Sequence, residues 1–151
     1  MKKIIISPWS KQLRNGKYNP KNPSVAYWTE LVKGLKDKNY YIIQIGVDGE
    51  KKLEGVDEYQ FNLSFQNLES LTLSVDTWIS IDNFYQHFCY LLNKPGFAIF
   101  AQSDPLIFGH SINTNILKDR KYLREHQFQT WEQINYNAEA FVDVSEILKL
   151  F

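Results

Sequence analysis

Short apolar runs of a strand's length alternate along this chain with segments whose apolar residues recur at helical spacing. Residues 3–6 form the first such run, which ends at Ser7-Pro8, and residues 40–45 form the next. Between them, apolar positions three and four residues apart from Val25 to Leu35 are typical of a helix. Strands that alternate with helices form a parallel sheet covered on both faces. We therefore predict an α/β fold with a single Rossmann-like, doubly wound parallel sheet.

The remaining elements follow the same pattern. Further strands are predicted at 59–63, 77–81, 96–100 and 116–117, and further helices at 68–75, 84–92 and 138–151. Asn22 is the predicted cap of the first helix, and Asn39 is its predicted end. Residues 119–129 are charged and show no clear period. A chain of 151 residues has the usual size of one domain, so we expect one domain over residues 1–151.

The balance of charges and the single cysteine limit which partners and which cellular location we expect for this chain. Seventeen basic residues balance seventeen acidic ones, which argues against duplex nucleic acid as a partner. No run approaches the ~20 apolar residues of a membrane span. The single cysteine, Cys89, lies in an apolar stretch and has no disulfide partner, so we expect a buried thiol and a cytoplasmic location. His110 and His126 lack partners at metal-ligand spacing, and no metal or cofactor is expected.

Candidate ligand contacts lie where predicted strands end, because open parallel sheets bind ligands beyond the carboxyl ends of their strands. Asp82-Asn83 follows one predicted strand and leads into a helix, and Gln102-Ser103 follows the next strand. Unpaired amide hydrogens and the helix dipole at such turns stabilise an anion. We therefore predict that these two turns bind a phosphate group.

A longer pattern surrounds these turns and resembles glycosyltransferase family 9, the ADP-heptose:lipopolysaccharide heptosyltransferases. In that family a strand ends in Asp-Ser-Gly, and a His follows five residues after the Asp. A Gly-x-Pro turn, an apolar strand and a Phe-Gly-x-Thr-x-Pro loop come next. The positions that fall in register here are Asp82, His87, Pro95, Phe100, Ser103 and Pro105.

The resemblance extends upstream and covers about residues 3–110. Ser7-Pro8, Lys17-Tyr18-Asn19-Pro20 and the turn from Gly46 to Glu50 are similar to the family's Pro-Gly, Lys-x-Trp-Pro and Gly-x-x-x-Glu segments. It implies the donor-binding half of a GT-B glycosyltransferase, with a nucleotide-diphosphate-sugar across these loops. Lys17 would lie near the phosphates, Asp82 near the sugar, and the amides around Asn83 and Ser103 on the diphosphate. The predicted ligand-binding residues are Lys17, Gly46, Glu50, Asp82, Asn83, His87, Gln102 and Ser103; no catalytic residue is predicted.

Several of these residues have a purely structural alternative. Asp82 could cap the following helix, Ser103 could form a turn, and Glu50 could stabilise its own turn rather than bind ribose hydroxyls. The aromatic neighbours of His87 favour a packed, hydrogen-bonded histidine over a ligand contact. Lys17 could be a solvated loop residue. Weaker alternatives to it in the same loop are Lys11, Arg14 and Lys21.

Three functions are compatible with this pattern. The chain could be a donor domain that transfers a hexosyl or heptosyl group once a partner chain or a second copy in a homo-oligomer supplies an acceptor domain. It could instead be a non-catalytic protein that sequesters or senses a nucleotide. A protein-interaction module with a vestigial pocket is the third reading, because Phe84 and Ala101 replace two glycines of the family pattern.

Overall fold

The computed structural model describes residues 1–151 and contains one six-stranded sheet in which all paired strands are parallel. The strands are β1 (Lys2–Ser7), β2 (Tyr40–Gly46), β3 (Glu58–Phe61), β4 (Thr77–Ile81), β5 (Phe97–Ile99) and β6 (Thr114–Ile116). Their order across the sheet is β3-β2-β1-β4-β5-β6. The direction of winding reverses between β1 and β4, and such switch points are where doubly wound folds bind ligands. The predicted fold class is confirmed.

Five helices connect or flank these strands. They are α1 (Val25–Asp37), α2 (Phe65–Ser74), α3 (Phe84–Leu91), α4 (Pro105–Phe108) and α5 (Val144–Leu148). Single 3-10 turns occur at Arg120–Tyr122, Trp131–Gln133 and Ala138–Ala140. No helix combines the length and the apolar character that crossing a bilayer requires.

The central strands are buried on both faces, which explains their unbroken apolar runs. Ile4 and Ile6 of β1 belong to one apolar cluster with residues of α1 and α5, whereas Ile5 belongs to a second cluster with residues of α2 and α3. Successive side chains of a strand point to opposite faces, so each face of the sheet has its own helical layer. Because all six strands are parallel, the loops that follow β1, β2, β4 and β5 lie at the same edge of the sheet, the carboxyl edge.

The cap of α1 differs from the prediction. Ser24, not Asn22, is the N-cap, and its hydroxyl accepts a hydrogen bond from the amide of Tyr27 at 3.0 Å. The side chain of Asn22 instead accepts from the amide of Ser10 at 2.8 Å, which fixes the loop after β1. Asn39 ends the helix as predicted, with a positive φ of 67°.

The predicted closing helix over residues 138–151 is wrong in extent. The chain forms a 3-10 turn at Ala138–Ala140, passes through extended residues, and is α-helical only in α5. Phe141 and Ile147 are nevertheless buried in the cluster that covers α1. The apolar period identified the buried face but not the bend by which the chain wraps around α1. The short helix α4, with Asp104 as its cap, was not predicted.

Candidate functional site

The turns after β4 and β5 lie side by side at the carboxyl edge. Ile81 and Ile99 are paired in register, so Asp82 and the turn at residues 100–104 leave adjacent strands. Adjacent strands are ~4.8 Å apart. Asp82, Gln102 and Ser103 are all buried there. The structure thus brings together three of the predicted residues, beside the switch point between β1 and β4.

Asp82 does not cap α3. Its carboxylate oxygen Oδ1 accepts a hydrogen bond at 2.7 Å from the side-chain amide of Gln86, one turn into α3. Gln86 is completely buried, and its oxygen Oε1 has no hydrogen-bond partner. The carboxylate of Asp82 forms no salt bridge. Asp82 is therefore a buried carboxylate held in place by one neighbour and free of any structural role in capping.

Asn83 is the cap, and its polar groups are engaged within the chain. Its side-chain oxygen accepts from the amide of Tyr85 at 3.0 Å, and its own amide donates to the carbonyl of Ile81. Its side-chain nitrogen Nδ2 lies 3.2 Å from the carbonyl oxygen of Ser7, 3.0 Å from the hydroxyl of Ser7 and 3.3 Å from the carbonyl oxygen of Trp9. Asn83 therefore ties the end of β4 to the end of β1 across the switch point.

The loop after β2 joins this network. The indole nitrogen of Trp9 and the side-chain nitrogen of Gln44 both donate to the carbonyl oxygen of Lys51, at 2.8 Å and 2.9 Å. We call the group formed by Ser7, Trp9, Lys51 and Asn83 the closed side of the carboxyl edge. Its hydrogen bonds fix three loops relative to one another.

Gly46 and Glu50 form the turn after β2. The carboxylate oxygen Oε1 of Glu50 accepts from the amide of Val47 at 2.9 Å, and a Cβ on Gly46 would lie only 2.8 Å from that oxygen. Burial raises the pKa of Glu50, and the Val47 hydrogen bond opposes this rise. β1 lies between β2 and β4, so this turn is about 10 Å from the strand end that carries Asp82.

The turn after β5 is covered by the irregular segment that follows β6. The carbonyl oxygen of Gln102 accepts from the amide of Arg124 and from the side chain of Gln127, both at 3.0 Å. The amide of Asp104 donates to Gln127, and the side chain of Gln102 donates to the carbonyl oxygen of Asn135. The amide hydrogens of Gln102 and Ser103 have no acceptor in the chain. This turn therefore keeps two donors of the kind predicted to face an anion.

Cations surround Asp82 without pairing with it. The charge of Asp82 acts to raise the pKa of Lys21, from the loop after β1, and of Arg124, from the C-terminal segment. Neither residue forms a salt bridge with Asp82. The centre of the Arg124 guanidinium lies 3.6 Å from the ring centroid of Trp131, and the Lys21 ammonium lies 5.9 Å from it. Burial is the main reason that the pKa of Lys21 is lowered.

We call the group formed by Lys21, Asp82, Gln102, Ser103 and Arg124 the open side of the carboxyl edge. Lys21 was predicted only as a weaker alternative to Lys17, and Arg124 and Trp131 were not predicted at all. Arg124 lies in the stretch 119–129, which shows no clear period, and Trp131 follows just after it in a 3-10 turn that was not predicted.

Lys17 and His87 are not in contact with Asp82. The side chain of Lys17 is exposed and forms no salt bridge, and its backbone amide donates to Asn15. His87 is exposed on α3, with its Nδ1 2.8 Å from Nε2 of His110. The ring of His110 also stacks on Tyr90 at a centroid distance of 4.0 Å. His87 is thus hydrogen-bonded, as in the structural alternative for this residue, but it is exposed rather than packed among its aromatic neighbours.

A depression of about 500 Å³ lies between α1 and the C-terminal segment. Its lining includes Tyr27, Glu30, Lys118 and Phe141, and none of the predicted ligand-binding residues. No group of three or more histidine, cysteine, aspartate or glutamate side chains is arranged to hold a metal ion.

The solved structures whose fold this chain shares are glycosyltransferases. The ADP-heptose LPS heptosyltransferase II of E. coli matches 98% of this chain with a TM-score of 0.69 and 15% identity, over 44% of its own length. E. coli heptosyltransferase WaaC, in a structure with ADP, matches 97% of this chain with a TM-score of 0.65 and 13% identity, over 42% of its length.

The dodecameric, iron-containing glycosyltransferase TibC from enterotoxigenic E. coli also matches. It covers 95% of this chain with a TM-score of 0.64 and 14% identity, over 37% of its own length, and another structure of TibC holds ADP-D-β-D-heptose. The chain thus spans less than half the length of these structures, and the likeness at such low identity shows the fold alone. No protein-family model matches the sequence, and a search of curated proteins finds no match either.

Proposed function

We propose that this chain, as one domain over residues 1–151, binds a nucleotide or nucleotide-sugar in the manner of the donor half of a GT-B glycosyltransferase. One observation supports the proposal most: Asp82 and the turn at Gln102 and Ser103 lie side by side. They follow adjacent strands beside the switch point. The fold shared with WaaC, whose structure contains ADP, and with TibC, whose structure contains ADP-D-β-D-heptose, supports the same ligand class.

In this proposal the ligand lies across the strand ends. The amide hydrogens of Gln102 and Ser103 lack acceptors and face the diphosphate, because unpaired donors at a strand end favour an anion. The carboxylate of Asp82 accepts hydrogen bonds from sugar hydroxyls, for which its oxygen Oδ2 is available. Glu50, about 10 Å along the edge, is then placed to reach the ribose. This spacing suits an extended ligand rather than a single phosphate ion.

Sugar transfer, in this proposal, requires an acceptor domain from a partner chain or from a second copy in a homo-oligomer. This chain would position the donor and stabilise the leaving diphosphate through cations and amide hydrogens, and both effects are large terms in catalysis. Without an acceptor domain the same site sequesters or senses a nucleotide. We place this activity in the cytoplasm, in keeping with the single buried cysteine.

An interaction module is the second candidate function, and one specific observation favours it. Phe65 and Phe84 are 71% and 55% exposed, and their ring centroids lie 5.8 Å apart. Phe88 completes the cluster at 5.6 Å from Phe84. Exposed aromatic clusters of this kind are typical of protein interfaces. Phe84 stands where the heptosyltransferase pattern has a glycine, so the position that presents this aromatic face does not have the residue type that lets the backbone approach a phosphate closely.

Binding measurements separate these functions. Thermal-shift screening of the wild-type chain against ADP, UDP, GDP, their sugars and cyclic nucleotides should reveal stabilisation by at least one ligand. Turnover assays on each hit then distinguish a transferase from a binder. For the ligand found, Asp82→Asn should weaken binding roughly tenfold, because it removes a charged hydrogen-bond acceptor.

Asp37→Asn is the matched control, since Asp37 is exposed at the end of α1 and has no hydrogen-bond partner through its side chain. It should leave the affinity unchanged. If no nucleotide or nucleotide-sugar stabilises the wild-type chain, or if both variants bind equally well, the proposed site is refuted and the interaction module is favoured.

A further inference from the structure

The face formed by α2 and α3 is almost free of charge. The ten residues of α2 and the eight of α3 include one acidic residue, Glu69, and neither lysine nor arginine. The thirteen residues of α1, in the layer on the other face of the sheet, include the charged residues Glu30, Lys33, Lys36 and Asp37. A helix that borders solvent normally carries charged residues on its outer side. The outer side of α2 and α3 therefore differs from an ordinary solvated surface.

An exposed apolar stripe runs along this face. Phe84, Phe88 and Leu91 are four and three residues apart, so they lie on one side of α3. Leu91 is 80% exposed. Phe65 of α2 widens the stripe, because its ring centroid lies 5.8 Å from that of Phe84 and 6.2 Å from that of Phe88. We call Phe65, Phe84, Phe88 and Leu91 the apolar stripe. Apolar side chains in water cost free energy, and burial against a partner removes that cost.

The area of this face suits a small protein interface. A phenylalanine side chain offers roughly 200 Å², so Phe65 and Phe84 at 71% and 55% exposure together leave about 250 Å² in water. Leu91 and the exposed Leu73 of α2 add to this apolar area. With the uncharged polar residues around the stripe, the face approaches the roughly 600 Å² per partner at which weak complexes give way to standard ones. A contact through this face is therefore weak and reversible rather than obligate.

The chemistry of the face selects among possible partners. Nucleic acids and anionic bilayer surfaces are bound through lysine and arginine, and these two helices have none. The partner must instead present an apolar surface of low charge. A second copy of this chain presents such a surface, and closed two-fold dimers are the commonest oligomers of soluble proteins. In a two-fold contact each residue meets the same set of residues, and a face with one acidic residue sets almost no like charges opposite each other.

We propose that this chain forms a two-fold symmetric dimer in which the apolar stripes of two copies pack together, with their α3 helices antiparallel. Phe88 then lies near the symmetry axis, and Phe84 of each copy faces Leu91 of the other. The antiparallel orientation brings opposite ends of the two helix dipoles side by side. This inference names the partner of the second candidate function; it rests on that function and not on nucleotide binding.

Sedimentation equilibrium of the wild-type chain without nucleotide tests the dimer. Between about 1 and 200 µM it should show a monomer–dimer equilibrium with a micromolar dissociation constant. Phe84→Glu and Leu91→Lys should each raise that constant roughly a hundredfold, because each buries an unpaired charge against an apolar side chain of the second copy. The double variant F84E/L91K should return to within about tenfold of the wild-type constant, since the two new charges then pair across the axis.

Both substitutions are chosen to leave the fold intact. Phe84 is the first residue of α3 and Leu91 is the last, and both are exposed. Acidic residues near the start of a helix and basic residues near its end are favoured by the helix dipole. Thermal unfolding followed by circular dichroism checks that each variant is folded.

Phe128→Glu and Leu106→Lys are the matched controls. They introduce the same charges at side chains that are 81% and 82% exposed but lie outside α2 and α3. The dissociation constant of the dimer should be unchanged in both. A control that dissociates the dimer would place the contact on another face and overturn the proposal.

The remaining outcomes are equally decisive. A wild-type chain that stays monomeric over the whole range overturns the proposal and leaves the face to a different protein. Folded single variants that associate as the wild-type chain does, or a double variant that stays monomeric, also overturn it. Because no nucleotide is present, the result is independent of the thermal-shift screen. A dimer that binds no nucleotide contradicts the nucleotide function alone, and a monomer that binds a nucleotide overturns the dimer alone.

Discussion

The closed and open sides of the carboxyl edge use similar polar residues in opposite ways. On the closed side, both polar atoms of the Asn83 side chain form hydrogen bonds within the chain. The oxygen caps α3, and the nitrogen bridges to Ser7 and Trp9. On the open side, the ammonium of Lys21 and the Nε of Arg124 lack partners. The hydrogen bonds of Asn83 hold the closed side together, whereas these two cations contribute no such bond through the Lys21 ammonium or the Arg124 Nε.

This difference changes how the glycine replacements are understood. In the heptosyltransferase pattern, a glycine after the strand-end Asp-Ser allows the backbone to approach phosphate. Here Asn83 and Phe84 follow Asp82, and the Asn83 side chain crosses to β1. The diphosphate is therefore proposed to lie on the β5 flank of Asp82, at the unpaired amide hydrogens of Gln102 and Ser103. The comparison predicts that substitutions on the two sides affect different properties.

The largest expected effect is the loss of stability in Asn83→Ala. The variant loses a helix cap and the contacts with Ser7 and Trp9, so the free energy of unfolding should fall by about 3 kcal/mol. Urea denaturation measures this change. Asn67→Ala is the control, because Asn67 is exposed on α2 and its side chain has no hydrogen bond. Its effect should stay within about 0.5 kcal/mol.

Asn83→Ser separates the two roles of Asn83. Serine caps helices well but does not reach across to β1, so this variant should recover about 1 kcal/mol of the stability that alanine loses. Equal losses in the serine and alanine variants would mean that the cap contributes nothing. A serine variant as stable as the wild-type chain would mean that the bridge across the switch point contributes nothing.

A smaller and more local effect is expected for Arg124→Gln on the open side. The variant loses contacts with the carbonyl oxygens of Gln127 and Gln129 and the stacking on Trp131, which should raise the free energy of the covering segment by about 2 kcal/mol. Hydrogen exchange followed by mass spectrometry should show faster exchange at the amide of Asp104 and at residues 124–135. Unchanged protection in β1 and β4 is the internal control, and faster exchange there would contradict a local role.

The sheet could be predicted from the sequence because its strands are buried on both faces. A strand such as β1, with Ile4, Ile5 and Ile6 all buried, needs an unbroken apolar run, and such runs are visible without tertiary information. The cap of α1 was less certain because Asn22 and Ser24 are both good caps. The choice depends on the hydrogen bond between Asn22 and Ser10, twelve residues away.

The candidate site was predictable in part for the same reason. Asp82, Gln102 and Ser103 follow strands, so the parallel sheet brings them to one edge whatever the rest of the chain does. Arg124 reaches that edge through the hydrogen bond of its amide to the carbonyl oxygen of Gln102. A contact of this kind leaves no periodicity in the sequence. The residues missed are therefore those placed by long-range hydrogen bonds instead of by regular structure.

A pH-dependent effect tests how the turn after β5 is held at the border of the open side. Asp104 caps α4 and pairs with Arg120 at 2.7 Å, and the hydrogen bonds from Arg120 hold the pKa of Asp104 below its usual range, against an opposing effect of burial. A lowered folded-state pKa gives stability above the unfolded value of about 3.9, which is lost as the pH falls through the folded value.

Asp104→Asn keeps a capping side chain and removes the charge. It should be less stable than the wild-type chain at pH 7, and the difference should shrink as the pH falls below about 4. Urea denaturation between pH 7 and pH 3 measures the difference. Arg120→Gln should show the same loss of pH dependence. A difference that is constant with pH would show that the ion pair does not hold the turn.

The smallest expected effect is a change in the pKa of His110, which is hydrogen-bonded to His87. It tests how far the open side extends. Burial, and then the charge of His87, lowers the pKa of His110. Since the folded pKa of His110 is below the unfolded value of about 6.5, His110 contributes stability above that value and loses it as the pH falls through the folded pKa. NMR titration should show that His87→Gln raises the pKa of His110, because the like charge is gone. A nucleotide found by the thermal-shift screen should leave that pKa unchanged if its diphosphate stays beside Gln102 and Ser103. A rise on adding the nucleotide would instead place the diphosphate near His87 on α3, since a nearby anion favours the protonated imidazole.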